Sequence, residues 1–171
     1  KRPIIHQQRK RRARSGELVQ IDGSPHAWFE DRGEPCNLLV FIDDATGRTF
    51  GKFFQTETTA GYMQTMVEYI TQYGAPLAVY SDKYCVFRIN QGTKTENFTQ
   101  FGRALKELDI ELIYANSPQA KGRVERANQT LQDRLTKELR LAGIITIDQA
   151  NEFLKGYWVT HNEKFAVAPA S

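Results

Sequence analysis

The chain predicts an α/β fold: a mixed five-stranded sheet in the order 3-2-1-4-5, flanked by helices. Three observations lead there. Three strand-like stretches separated by short turns come first, and these read as an antiparallel meander. Strand-like and helix-like stretches then alternate, as parallel strands joined by crossover helices do. Right-handed crossovers around a central first strand put the fourth strand beside the first. The 171 residues suffice for one domain with a real core.

The elements are read in chain order. Glu17 to Trp28 reads as the first strand, with Leu18, Gln20, Asp22, Ser24 and His26 on one side by its period of two. Asp22 is an oddity there, because aspartate is disfavoured in a strand and costly to bury unpaired. Glu30 to Pro35 is a turn, and Asn37 to Ile42 is an apolar run suited to a central strand. Asp43 to Gly47 turns into a third strand, Arg48 to Phe54. Thr58 or Thr59 caps a helix to Tyr73 with Met63, Met66, Val67 and Ile70 as its apolar stripe, and Gly74 with Pro76 ends it.

Leu77 to Ser81 is a short buried strand that delivers Asp82 at its end. Lys83 to Lys94 reads as a loop. Thr95 starts a helix with Phe98, Phe101, Leu105 and Leu108 inward, and Ile110 to Tyr114 is the fifth strand. The stretch from Ser117 opens as a loop, because Ser-Pro disfavours helix before it and Gly122 loosens the backbone after it. It then becomes a long helix whose apolar face is Val124, Ala127, Leu131, Leu135, Leu139 and Ala142. Glu125 falls just outside that face, beside Lys121, Asn128, Gln129 and Gln132. Thr146 and Gln149 form a capping box for a last helix with Ile147, Ala150, Leu154 and Tyr157 inward.

Charge is unevenly spread. The first 14 residues hold seven Lys or Arg and no acid, leaving 16 of the 23 basic residues against 20 acids in the remainder. A basic arm, residues 1–14, therefore precedes a net acidic core, residues 15–168, and a short tail, 169–171. Such arms often contact nucleic acid through counterion release, with a solvated linker as the alternative, and Arg11 and Arg12 are its candidate phosphate contacts. The net acidic core is not a general DNA-binding surface; if it acts on DNA, it needs local basic patches or metal ions. No apolar run reaches membrane-spanning length, and no apolar stretch of a signal peptide follows the basic start. Cys36 and Cys85 form neither a CxxC pair nor a zinc set, so buried reduced thiols and a cytoplasmic location are expected.

Asp22, Asp82 and Glu125 stand on three separate elements with 59 and 42 residues between them. If they converge at the sheet edge, they make an oxygen-rich site for hard divalent cations. Mg²⁺ takes one or two carboxylates and keeps waters and phosphate oxygens. Two such ions about 3.5–4 Å apart clamp both oxygens of an in-line phosphoryl displacement. Without metal, mutual repulsion raises at least one pKa or splays the acids apart.

These blocks resemble the catalytic core of the integrase-like (DDE) transposases, within the retroviral integrase superfamily, and most of all the bacterial insertion-sequence type. The matching pieces are Val19 to His26, Tyr80-Ser81-Asp82, and Ser117-Pro118 with Lys121 to Asn128. The resemblance implies an RNase H-like fold and a catalytic, metal-binding triad of Asp22, Asp82 and Glu125. It implies two Mg²⁺ ions, with Mn²⁺ as a substitute, and double-stranded DNA as partner, both element ends and target. Water cuts at the element's end, and the exposed 3′-hydroxyl then attacks target DNA. A homo-oligomer in the active complex and a place at the bacterial nucleoid are also implied. The second gap is longer than is usual in retroviral integrases, which suggests an insertion around Tyr84 to Thr95.

Other residues are weighed beside the triad. Lys121, Arg123, Arg126 and Asn128 are candidate DNA contacts, against the alternative of a solvated helix face with local ion pairs. His26 is a candidate DNA contact, against a packed histidine. Asp43 and Asp44 precede Thr-Gly and are explained by turn chemistry. Phe98, Phe101, Tyr157 and Trp158 read as core or interface, and His161 fits a helix-dipole or packing role. A structure-selective nuclease of the same fold, or an inactive DNA-binding core, are the competing functions.

Overall fold

The computed structural model describes residues 11–82, 89, 98–115 and 118–170, with backbone alone at 115 and 118–122. Five strands form one sheet: β1 (Leu18–His26), β2 (Cys36–Asp43), β3 (Thr49–Phe54), β4 (Ala78–Asp82) and β5 (Glu111–Ala115). Its order is β3-β2-β1-β4-β5, as the sequence predicts. Strands β1, β2 and β3 pair antiparallel, while β1–β4 and β4–β5 pair parallel. Among the described residues four α-helices accompany it: α1 (Thr59–Tyr73), α2 (Thr99–Glu107), α3 (Pro118–Leu141) and α4 (Ile147–Phe165). This is the RNase H-like arrangement.

Strand β2 is buried nearly throughout, with Leu38, Leu39, Val40 and Phe41 inaccessible, as its continuous apolar run requires. Helix α1 begins as expected, Thr58 Oγ1 accepting from Gly61 N at 3.0 Å. Its stripe differs from the one expected. Met63 and Val67 are exposed, and the inward residues are Tyr62, Met66 and Tyr69. The tyrosines go in because their hydroxyls find partners: Tyr62 donates to Glu57 Oε2 at 2.6 Å, and Tyr69 accepts from Arg48 at 3.2 Å. Phe41 and Phe50 supply ring contacts to the same tyrosines.

Other boundaries shift by a residue or two. Leu77 is exposed ahead of β4, and Leu108 is exposed just past α2. Glu30–Arg32 forms a 3-10 turn. Helix α3 already includes Pro118, since proline suits a first turn whose N–H has no partner to bond, and the expected loop at Ser117 lies outside the described residues. Gly122 is carried within it. At its other end Ala142 lies exposed beyond the helix, and Gly143 at φ +68° reverses the chain. The expected loop from Lys83 and insertion around Tyr84 to Thr95 lie outside the described residues, apart from Ile89, as does Cys85.

Helix α4 does more than cover the sheet. Asn162 accepts from Thr49 N at 2.8 Å and donates to Thr49 O at 2.9 Å, and Asn151 does the same with Phe53 at 2.7 and 3.0 Å. Between them Trp158 Nε1 donates to Gly51 O at 3.1 Å. The outward groups of edge strand β3 are thus bonded by side chains of one helix, which closes the edge.

Candidate active site

Strand β1 turns Gln20, Asp22 and Ser24 to the face that α3 crosses. Two contacts fix that crossing: Gln132 Nε2 donates to Ser24 Oγ at 3.1 Å, and Arg123 Nη1 reaches Asp44 at 2.7 Å, an acid that also accepts from Gln20 Nε2 at 3.0 Å. Asp22 lies between Gln20 and Ser24 on this face. Residues 125 and 128 lie between Arg123 and Gln132 on the helix above.

Asp82 comes to the same place from β4. The parallel register pairs Gln20 with Tyr80 and Ile21 with Ser81, so Asp22 and Asp82 are the next residues along both strands. In-register residues of neighbouring parallel strands share a face, with backbones about 4.8 Å apart. Both acids are half-buried. Gly23 N donates to Asp22 Oδ1 at 2.9 Å and helps orient that carboxylate. A Cβ on Gly23 would meet the Glu57 carboxylate, the end of a side chain that would have to move aside. Glu57, which sequence reasoning passed over, thereby presses on the far side of the strand that carries Asp22.

Glu125 is exposed on α3. Among the described residues no three His, Cys, Asp or Glu side chains are gathered into a metal-holding group. The parallel register thus sets Asp22 and Asp82 at neighbouring positions on the sheet, while Glu125 stands exposed on α3, two residues past the Arg123 that holds Asp44, and the trio is not closed. Three carboxylates are the donor type that a hard cation takes. One turn past Glu125, Asn128 Oδ1 is buried and has no hydrogen-bond partner among the described residues. A buried acceptor left so is uncommon, and this one stands three residues from Glu125 on the same helix.

The remaining candidates fall out differently. Arg123 turns inward onto Asp44, whose side chain is fully buried, while Arg126 is exposed. The Lys121 side chain lies outside the described atoms. His26 packs edge-on against Trp28 at 5.0 Å, and burial lowers its pKa, so the packed-histidine alternative has the contact. Arg11 is exposed near the β2–β3 turn, and Arg12 N donates to Asp44 at 2.6 Å. Asp43 behaves as turn chemistry predicts, accepting from Thr46 N and Oγ1 at 3.1 and 2.7 Å and from Gly16 N at 2.8 Å. Phe98, Phe101 and Trp158 are core, and Tyr157 packs partly buried against it. His161 is buried among Tyr157, Trp158 and Phe165. Burial, with Arg134 nearby, pushes its pKa down to about 4, so it packs as a neutral ring.

Similarity to known proteins runs along the same lines. The chain is 54% identical over 172 residues to y4bF, a protein of Sinorhizobium fredii named as a transposase, matching 99% of this chain and 38% of that one. It is 43% identical over 166 residues to the transposase of insertion sequence IS1202 from Streptococcus pneumoniae, matching 94% of this chain and 35% of that one. The chain thus spans little more than a third of the length of these relatives. Among solved structures, the HTLV-2 integrase catalytic core domain in complex with magnesium, in its dimeric form, superposes with a TM-score of 0.60 at 18% identity. That match covers 82% of this chain and 83% of the core, and it shows the fold. No model of a known protein family matches.

Proposed function

The chain belongs to the integrase-like transposases, and on that footing we propose that it is the catalytic core of a DNA transposase. In this reading residues 15–168 are the core and residues 1–14 a basic arm that lies on DNA phosphates. Its partners are element ends and target DNA, and it works as a homo-oligomer at the nucleoid, in the cytoplasm. The observation that carries the reading is the juxtaposition of Asp22 and Asp82 at one register position, beneath the helix that bears Glu125.

Asp22, Asp82 and Glu125 would hold Mg²⁺, two ions in the full reading, with Mn²⁺ able to replace it. Bound there, the metal supplies Lewis-acid polarisation of the phosphodiester and a deprotonated attacking oxygen. The protein's own work is positioning. The sheet holds two carboxylates on a rigid base, α3 delivers the third, and Asn128 offers a buried acceptor next to it. Arg126 and Lys121 on the same helix hold DNA phosphates against the site, and the arm adds Arg11 and Arg12. No side chain acts as nucleophile. Water makes the first in-line displacement at the element's end, and the freed 3′-hydroxyl makes the second on target DNA.

The test uses a duplex carrying a pre-cut element end, a target duplex and Mg²⁺. Asp82→Asn should keep the thermal unfolding profile and lose strand transfer at least about 100-fold. Undiminished transfer by that variant overturns the assignment. Cleavage without joining by the unsubstituted protein would point to the nuclease alternative.

A further inference from the structure

Asp43 and Asp44 are neighbours with different employment. Asp43 bonds within and beside its own turn. Asp44 does not: its carboxylate accepts from Arg12 N at 2.6 Å, Gln20 Nε2 at 3.0 Å and Arg123 Nη1 at 2.7 Å, partners 32, 24 and 79 positions away. A fully buried charge of this kind is retained only with such partners. Its partners are also particular. Gln20 stands two residues before Asp22 on the same face of β1, and Arg123 stands two residues before Glu125 on α3. Arg12 belongs to the basic arm.

The geometry points to Asp44 as a positioning residue that sets α3 against β1, and so sets Glu125 against Asp22 and Asp82, while tying the arm to the same point. This rests on the metal-binding reading above. A single carboxylate holds two of the three acid-bearing elements, β1 and α3, each two residues before its acid. Losing it frees the first turns of α3 to shift relative to the strand, and Glu125 then no longer completes the ligand set. Asp44 itself touches neither metal nor DNA.

The experiment measures Mn²⁺ binding to the whole chain by electron paramagnetic resonance, alongside thermal unfolding. Asp22→Asn and Asp82→Asn report on the ligands. Asp44→Asn should weaken Mn²⁺ binding about ten-fold in protein that remains folded. Arg123→Gln should do the same, and Arg123→Lys should recover much of the loss by keeping a donor to Asp44. Leu154→Ala, a core change remote from the contact, should lower the unfolding temperature and leave Mn²⁺ affinity unchanged. If Asp44→Asn does not fold, the double variant Asp44→Asn, Arg123→Gln removes both charges of the pair together and takes its place. Wild-type Mn²⁺ affinity in folded Asp44→Asn or in the double variant overturns the positioning role. Mn²⁺ binding that is indifferent to Asp22→Asn and Asp82→Asn overturns the ligand reading, and the positioning role with it.

Discussion

His161 shows how burial decides the role of one residue. Near the end of α4 a protonated imidazole would favour the helix dipole, yet the ring sits among three aromatics and Arg134 faces it. Its pKa falls to about 4 in the folded chain from 6.5 in an unfolded one. Between those values the unfolded chain binds a proton that the folded chain does not, so stability drops as pH falls from about 6.5 to 4. Urea unfolding across that range should show the drop, and His161→Phe should flatten it while keeping the ring contacts. An unchanged profile in His161→Phe would place the titration elsewhere. Asp22 was legible in the sequence for the opposite reason: an acid in mid-strand breaks the local rule, and such breaks mark sites. Asp44 was not legible, because turn chemistry explained it locally while its decisive partner lies 79 residues away.

At the scale of elements, the edge of β3 depends on a spacing that no local pattern announces. Asn151, Trp158 and Asn162 are 7 and 4 residues apart, so they line one face of α4 and meet alternate residues of the strand. Asn151→Ala or Asn162→Ala should cost about 1–3 kcal/mol, by leaving a backbone N–H and C=O without partners. Amide exchange should accelerate at Phe53 in the first variant and at Thr49 in the second, with Val40 in β2 little affected. Uniform acceleration would mean that the amides act only through global stability. Helix α1 carries the complementary lesson. A stripe chosen from aliphatics alone picked Met63 and Val67, which are exposed, and passed over Tyr62 and Tyr69, whose hydroxyls are satisfied inside.

Across the whole molecule, sheet order was legible because chirality and connection length leave few alternatives. Helix α3 is then pinned along its length at three points. Arg123 holds Asp44, Gln132 holds Ser24, and Arg140 clasps Glu30 with two bonds of 2.8 and 2.7 Å. That clasp, with Arg32, pulls the pKa of Glu30 down to about 2. The helix therefore lies along β1 from the start of the strand to the turn beyond it. Glu125 sits near one end of this span, two residues past Arg123. That Glu125 stands exposed and the three acids are not gathered was not legible from sequence, since side-chain convergence depends on charge and metal as well as topology. Among the described residues no helix is long and apolar enough to cross a membrane.

The most direct trial of this arrangement is anomalous diffraction from crystals of the protein grown with Mn²⁺ and a pre-cut end duplex. The expected result is manganese density ligated by oxygens of Asp22, Asp82 and Glu125 together. Manganese bound at ordinary ligand distance to other side chains, with Glu125 still turned away from the two aspartates, would contradict it.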